Sequence, residues 1–201
     1  MPSVSWLSAA SGIRPELEQI AAGDVLFDQG DPTTAIYAVE NGRMRLVRRT
    51  VDDQLVVLHT ARAGDVFAEA ALFSGAYHCD AIAAVQSRVW KYPKGPLLAA
   101  LRVNPDLSEA FMARLASQTQ ALRSRLELRN IRSARKRVFQ YLLLSAGADG
   151  RTVTLDGPLQ DMAADLGLTR EAFYRTLAAM EADGVISRQE GGIVIRRALE
   201  N

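Results

Sequence analysis

The stretch Leu159-Gln-Asp-Met-Ala-Ala-Asp-Leu-Gly-Leu-Thr-Arg-Glu-Ala-Phe-Tyr-Arg-Thr-Leu177 decides the fold of the C-terminal part of this 201-residue chain. Apolar residues recur three and four positions apart on both sides of Gly167, which is the spacing of two short helices. Glycine readily takes the positive φ that ends a helix and bends the chain. Thr169 is a good N-cap for the helix that follows. The stretch therefore predicts a helix-turn-helix.

The second predicted helix has one apolar face, formed by Phe173, Leu177 and Met180. The same spacing leaves a different face exposed, which carries Arg170, Glu171, Tyr174 and Arg175, next to the N-cap Thr169. Long Arg and Glu side chains on such a helix can reach base edges in the DNA major groove. DNA binding is the leading hypothesis at this point, and ordinary packing of two helices around a glycine bend is the alternative.

Residues 184–196 follow this helix and predict two short apolar strands joined by a turn at Gly191-Gly192. A hairpin in this position is a wing, and wings typically add contacts to DNA phosphates. Arg188, Arg196 and Arg197 are placed to supply such contacts. The C-terminal domain is therefore predicted to be a winged helix-turn-helix.

Composition restricts the protein class. The net charge is only +1, so affinity for nucleic acid has to come from local placement of arginines, of which residues 123–137 hold the densest group. The single cysteine, Cys79, argues against a disulfide framework and against an iron–sulfur or other multi-cysteine metal site within one chain. The first residues do not form a signal peptide, and no apolar run approaches about 20 residues. These features predict a cytoplasmic protein with no membrane segment.

Residues from about 23 to 92 predict an all-β domain. Short apolar strands alternate with glycine turns at Gly23 and Gly64, and Asn41-Gly42 is a strong hairpin signal. No helix fits between these strands, which disfavours a parallel sheet. Many short strands separated by turns predict a small barrel or roll.

A long helix is predicted from Leu107 to about Asn130, because this segment contains no glycine or proline. A stripe of near-3.5 period predicts a homodimer interface, with packing inside one chain as the alternative; its members are Phe111, Leu115, Gln118, Leu122 and Arg125. The resulting domain boundaries are 1–103 for the roll, 104–133 for the long helix and 134–201 for the winged helix-turn-helix.

The order of these parts resembles the CRP/FNR family of bacterial transcription regulators. The resemblance implies an α+β fold with an N-terminal double-stranded β-roll (a jelly roll like that of cyclic-nucleotide-binding domains), a dimerisation helix and a winged helix-turn-helix. It also implies a homodimer on a palindromic operator, with RNA polymerase as a candidate partner. Arg170, Glu171 and Arg175 match family positions that contact bases, whereas Tyr174 stands where other members carry a small residue.

Residues 64–73 resemble the family's phosphate-binding cassette, with Glu69 at the position that holds a cyclic nucleotide's ribose. Nucleotide-binding members carry an arginine where this chain has Cys79, followed here by Asp80. Leu122 and Arg123 replace the hydroxyl pair that contacts adenine in those members. A cyclic phosphate would therefore meet a thiol and a carboxylate without a compensating guanidinium. The resemblance implies that the effector is not cyclic AMP and leaves its identity unknown.

Other sensing chemistries are tested in the same way. Iron–sulfur members carry several cysteines, and the haem ligand positions of the carbon monoxide sensor match Ala68 and Ala70, so neither cofactor is supported. Residues 77–80 could sense redox state or a metal, but consecutive strand residues point to opposite faces, which favours simple packing. No spacing of base and nucleophile supports an enzyme. The remaining alternative is an interaction module whose winged helix docks protein.

Overall fold

A computed structural model describes residues 5–52, 55–155 and 159–199. The chain forms two compact units that divide within the long helix, after Arg114. Each unit has its own hydrophobic core. Among the described residues, no helix combines the length and the apolar character that crossing a membrane requires.

The first unit is a roll of two four-stranded antiparallel sheets. Its described elements are α1 (Ser5–Ser11), β1 (Glu16–Ile20), β2 (Val25–Phe27), β3 (Ala35–Asn41), β4 (Arg43–Arg49), β5 (Leu55–Arg62), β6 (Val66–Phe67), a 3₁₀ helix (Glu69–Phe73), β7 (Asp80–Ala83), β8 (Ser87–Pro93) and α2 (Lys94–Val103). The strand orders of the two sheets are β1-β8-β3-β6 and β2-β7-β4-β5. The predicted roll is confirmed.

The bend at Gly42 is not the hairpin that the Asn41-Gly42 pair predicts. β3 and β4 belong to different sheets, so the chain crosses from one sheet to the other at this point. Gly42 has a φ of +92°, and a Cβ there would lie 2.4 Å from Ser87 Oγ. The same Ser87 Oγ accepts a hydrogen bond from the Arg43 amide at 2.9 Å. The local signal for a positive φ was right, whereas the pairing of the flanking strands was wrong.

The β region also begins earlier than predicted. β1 precedes residue 23 and pairs along its length with β8, from Glu16 opposite Lys91 to Ile20 opposite Ser87. It is an edge strand, and all five of its residues are exposed or half-buried, so its sequence shows little apolar alternation. The helix α2 between the roll and the long helix was likewise not predicted.

The second unit contains the last part of α3 (Pro105–Asn130) and the predicted winged helix-turn-helix. Its other described elements are α4 (Ala134–Ser145), β9 (Thr152–Thr154), α5 (Leu159–Asp165), α6 (Arg170–Ala182), β10 (Ile186–Gln189) and β11 (Gly192–Ile195). β9 was not predicted, and it pairs with β11 to complete a three-stranded sheet. The wing turn is formed by Glu190 and Gly191 rather than by two glycines, because Gly192 already pairs within β11.

The apolar stripe predicted on α3 requires one correction. Phe111 is only 5% exposed in the single chain, so it is an intrachain core residue and cannot supply a dimer surface. Leu115, Gln118 and Arg125 are half-buried. The large apolar side chains that α3 does expose are Met112 (61%), Leu122 (51%) and Leu126 (61%).

Candidate DNA interface and roll cavity

The turn between α5 and α6 is closed by two backbone hydrogen bonds. The Leu168 amide donates to the Ala163 carbonyl at 2.9 Å, and the Gly167 amide donates to the Ala164 carbonyl at 3.1 Å. Gly167 has the left-handed φ of +63° that this helix ending requires. The pattern satisfies carbonyl groups that a helix C-terminus otherwise leaves without partners.

α6 begins where the N-cap signal placed it. The Thr169 side chain accepts a hydrogen bond from the Ala172 amide at 3.2 Å, which satisfies one of the free donors of the first turn. Phe173, Leu177 and Met180 are fully buried and join the core of the second unit. The register of the helix therefore follows from its apolar residues.

The opposite face of α6 presents the predicted base-contacting set. Arg170, Glu171 and Arg175 are exposed, and Tyr174 is half-buried. The guanidinium carbon of Arg170 lies 5.6 Å from the centre of the Tyr174 ring, which is cation–π geometry. Tyr174 in turn meets the buried Phe173 edge to face, with ring centres 6.0 Å apart. This stack was not predicted from the sequence, although the separation of Arg170 and Tyr174 by four residues on a helix was the available signal.

The wing is docked on α6 by an ion pair that sequence reasoning also missed. Arg188 Nε lies 2.7 Å from Glu181 Oε2, and the Arg188 amide donates to Glu181 Oε1 at 2.9 Å. The hydrogen bonds from the Arg188 side chain and amide lower the pKa of Glu181. Arg197 donates to the Asp183 carbonyl at 2.8 Å, while Arg196 is exposed. Arg188, the arginine expected to contact phosphate, is thus already paired with Glu181 of the same domain.

A cavity of about 170 Å³ lies in the roll of the first unit. Glu69 and Cys79, two of the residues proposed for an effector pocket, line this cavity, whereas Asp80 does not; its Oδ1 accepts a hydrogen bond from the Gln29 amide at 2.7 Å. Among the described residues, the cavity lining contains no arginine or lysine; it consists of Phe27, Leu46, Ala68, Glu69, Ala70, Ala71, Tyr77, His78 and Cys79. Leu122 and Arg123 are exposed on the part of α3 that belongs to the second unit.

Cys79 behaves as a packed thiol. It is buried, and burial raises its pKa, which keeps the thiol protonated at neutral pH. His78 is exposed, and its carbonyl accepts two hydrogen bonds from Arg48. Within residues 5–52, 55–155 and 159–199, no three His, Cys, Asp or Glu side chains are grouped as metal ligands would be.

Ala68, the N-cap residue of the 3₁₀ helix, has an unusual backbone conformation. Its φ of 62° and ψ of 27° place it in the left-handed region, the only non-glycine residue there in the described chain. An L-residue in this region is strained by about 1–2 kcal/mol. The strain lies on the cavity wall, next to Glu69.

Two families of known domains match the chain. The cyclic nucleotide-binding domain matches residues 17–104, and the Crp-like helix-turn-helix domain matches residues 136–200. The nitrogen fixation regulation protein FixK of Bradyrhizobium diazoefficiens is 30% identical over 179 residues, which cover 86% of this chain and 75% of FixK. The cyclic AMP receptor protein of Thermus thermophilus is 29% identical over 177 residues, which cover 88% and 82% of the two chains.

Solved structures agree on the architecture. FixK2 from Bradyrhizobium japonicum superposes with a TM-score of 0.73 at 21% identity and covers 92% of this chain and 94% of its own. CprK in complex with OCPA superposes with a TM-score of 0.76 at 14% identity and covers 98% and 92%. At these identities the likeness concerns the fold.

Proposed function

Because the chain belongs to the CRP/FNR family of transcription regulators and carries its helix-turn-helix DNA-binding domain, we propose that it acts as a homodimer on an inverted-repeat DNA site, controlled by an effector other than cyclic AMP or cyclic GMP. Membership also places the chain among transcription regulators rather than enzymes, as the sequence predicted. The observation that carries the proposal is the exposed polar face of α6, opposite a fully buried apolar face.

Arg170, Glu171 and Arg175 are proposed to contact base edges. They are exposed near the start of α6, whose N-terminal residues reach bases in helix-turn-helix proteins. Arginine can donate two hydrogen bonds to guanine, and a carboxylate can accept one from cytosine. Arg188, held by Glu181, fixes the wing to α6, and its contact with phosphate stays a prediction.

The dimer is proposed to form through the outer part of α3. Met112, Leu115, Leu122 and Leu126 repeat at separations that keep them on one side of a helix, and three of the four are more than half exposed. A second copy of the same helix is the partner that such a repeat fits. A two-fold axis would then place the two recognition helices about 34 Å apart, which corresponds to half-sites about 10 base pairs apart.

The proposal against cyclic nucleotides rests on the roll cavity. Among the described residues, its lining offers the Glu69 carboxylate but no arginine or lysine to compensate the charge of a phosphate monoanion. Its volume of about 170 Å³ is close to the roughly 150 Å³ of a cavity that accepts benzene. A cyclic nucleotide is far larger than benzene. The cavity therefore fits a small ligand without an exposed phosphate better than it fits a nucleotide.

Selection of binding sites from random duplexes, followed by fluorescence anisotropy at several salt concentrations, tests the DNA-binding part. We expect an inverted repeat to be selected, and we expect Arg175→Ala to relax the preference at one position of each half-site by about 1–3 kcal/mol. Arg102→Ala, which removes the same charge from an exposed site on α2, is the matched control and should leave the preference unchanged.

Two results would count against this assignment. If Arg175→Ala kept the original ratio of affinities for selected and scrambled sites, α6 would not contact bases in the proposed register. If the protein bound no duplex DNA at any salt concentration, the winged helix would instead be a protein-docking module.

A further inference from the structure

The densest group of basic residues contains two arginines whose guanidinium groups point at backbone carbonyls. Arg137 on α4 donates from Nη1 to the Leu166 carbonyl at 2.9 Å. It also donates from Nε and Nη2 to the Ile131 carbonyl, at 3.0 and 2.7 Å. One side chain thus joins the segment between α3 and α4 to the residue that precedes the glycine of the helix-turn-helix.

Arg129, in the last turn of α3, contacts the same turn from a second direction. Its Nη2 donates to the Ala164 carbonyl at 3.3 Å. The side chain also lies against Gly167, where an added Cβ would be 3.5 Å from Arg129 Nε. A side chain at this position would be in van der Waals contact with the arginine, and the φ of +63° would strain any residue other than glycine.

The contacts of both arginines with the helix-turn-helix lie at the C-terminal end of α5. The last carbonyls of a helix have no partners within it and carry the negative end of the helix dipole. α5 is only seven residues long, so it has little stability of its own. A guanidinium is suited to bridging two acceptors because its donors form a rigid planar fork, which an ammonium group lacks.

We propose that Arg129 and Arg137 are positioning residues for DNA binding: they hold the turn at residues 163–169, and hence the direction of α6, against residues 128–137. They do not contact DNA. The inference rests on the proposed DNA-binding function and deepens it. Because α6 begins at Arg170, directly after the turn, loosening the turn displaces the side chains that contact bases and leaves the phosphate contacts of the domain in place.

The test compares four variants for DNA affinity, salt dependence and amide hydrogen exchange. Arg137→Ala should weaken binding to the selected site about tenfold, and Arg129→Ala less, since it loses one longer hydrogen bond. Arg137→Lys should fall between wild type and Arg137→Ala, because a lysine keeps the positive charge but lacks the rigid planar fork of donors that makes three hydrogen bonds here. Arg132→Ala removes the same charge from an exposed position in the same stretch and serves as the control.

The salt dependence separates positioning from phosphate contact. A lost phosphate contact lowers the slope of log affinity against log salt by about one for each half-site. We expect Arg129 and Arg137 variants to keep the wild-type slope. In the free protein we also expect the amides of Gly167 and Leu168, which close the turn, to exchange several times faster than in wild type.

A lowered salt slope together with unchanged exchange at the turn would overturn the inference. The exchange measurement needs no DNA, so it still decides the role of the two arginines if the protein binds no duplex and the proposed function fails. Arg129→Ala and Arg137→Lys keep the test usable if Arg137→Ala does not fold.

Discussion

Replacing Tyr174 on α6 should change the sequence preference of the protein through Arg170. The ring of Tyr174 lies below the Arg170 guanidinium at 5.6 Å and rests on the buried Phe173. An exposed cation–π contact of this kind is worth about 0.5–1 kcal/mol. Removing this contact frees the Arg170 side chain, and ordering that side chain on binding to a base then costs conformational entropy.

The effect on affinity follows from the two recognition helices of the proposed dimer. A loss of about 0.5–1 kcal/mol at each helix gives about 1–2 kcal/mol for the complex, or roughly a fivefold to thirtyfold increase in Kd. Tyr174→Leu removes the aromatic face and keeps an apolar contact with the core, so it should show this loss. Tyr174→Phe keeps the ring and loses only the hydroxyl group, so it should bind like wild type.

The assay is anisotropy titration of both variants on the selected site and on sites that vary one half-site position at a time, at a single salt concentration. The loss should be concentrated at the position that Arg170 contacts. The reasoning is refuted if Tyr174→Leu binds with wild-type affinity and preference. It is also refuted if Tyr174→Phe loses as much as Tyr174→Leu, since the hydroxyl group would then contact DNA itself.

Three further outcomes are expected. The double substitution of Leu122→Asp and Leu126→Asp should give monomers in sedimentation velocity, because two charges would enter the proposed interface. The control Ser124→Asp, on the same helix, should stay dimeric. A double variant that stayed dimeric would contradict the interface. Ala68→Gly should raise the free energy of unfolding by about 0.5–1 kcal/mol in urea titration, because glycine relieves the left-handed backbone strain at some cost in chain entropy. A variant less stable than wild type would contradict this expectation. Calorimetric titration with cyclic AMP and cyclic GMP should show no binding below about millimolar concentration, since a charge-assisted contact worth about 1.5–3 kcal/mol is missing; a saturable micromolar isotherm would show a rebuilt nucleotide site.

The winged helix-turn-helix could be predicted because its signals are local. The capping hydroxyl of Thr169, the positive φ of Gly167 and the apolar spacing of α6 act between residues within one or two helical turns. Interactions at such short separations depend little on the rest of the chain.

The sequence-based predictions were wrong or incomplete where a local signal was compatible with several tertiary arrangements. Asn41-Gly42 requires a tight bend, but the flanking strands lie in two different sheets because β3 pairs with β8 and β4 pairs with β7, both distant in the chain. The strand at Glu16–Ile20 is specified by its pairing with β8. On α3, the heptad pattern marks apolar positions, but only packing in the folded chain buries Phe111 and leaves Met112 exposed.

The sequence by itself determined the order of the three parts (roll, long helix and winged helix-turn-helix), the apolar and polar faces of α6, and the presence of a basic stretch before the helix-turn-helix. Only the tertiary structure decided what the arginines contact: Arg135 pairs with Asp183, Arg188 with Glu181, and Arg137 with two carbonyls. The physical reason is that apolar periodicity and helix capping act between neighbours in sequence. A guanidinium group, on a long flexible side chain, bonds to whichever acceptors the fold brings within its reach.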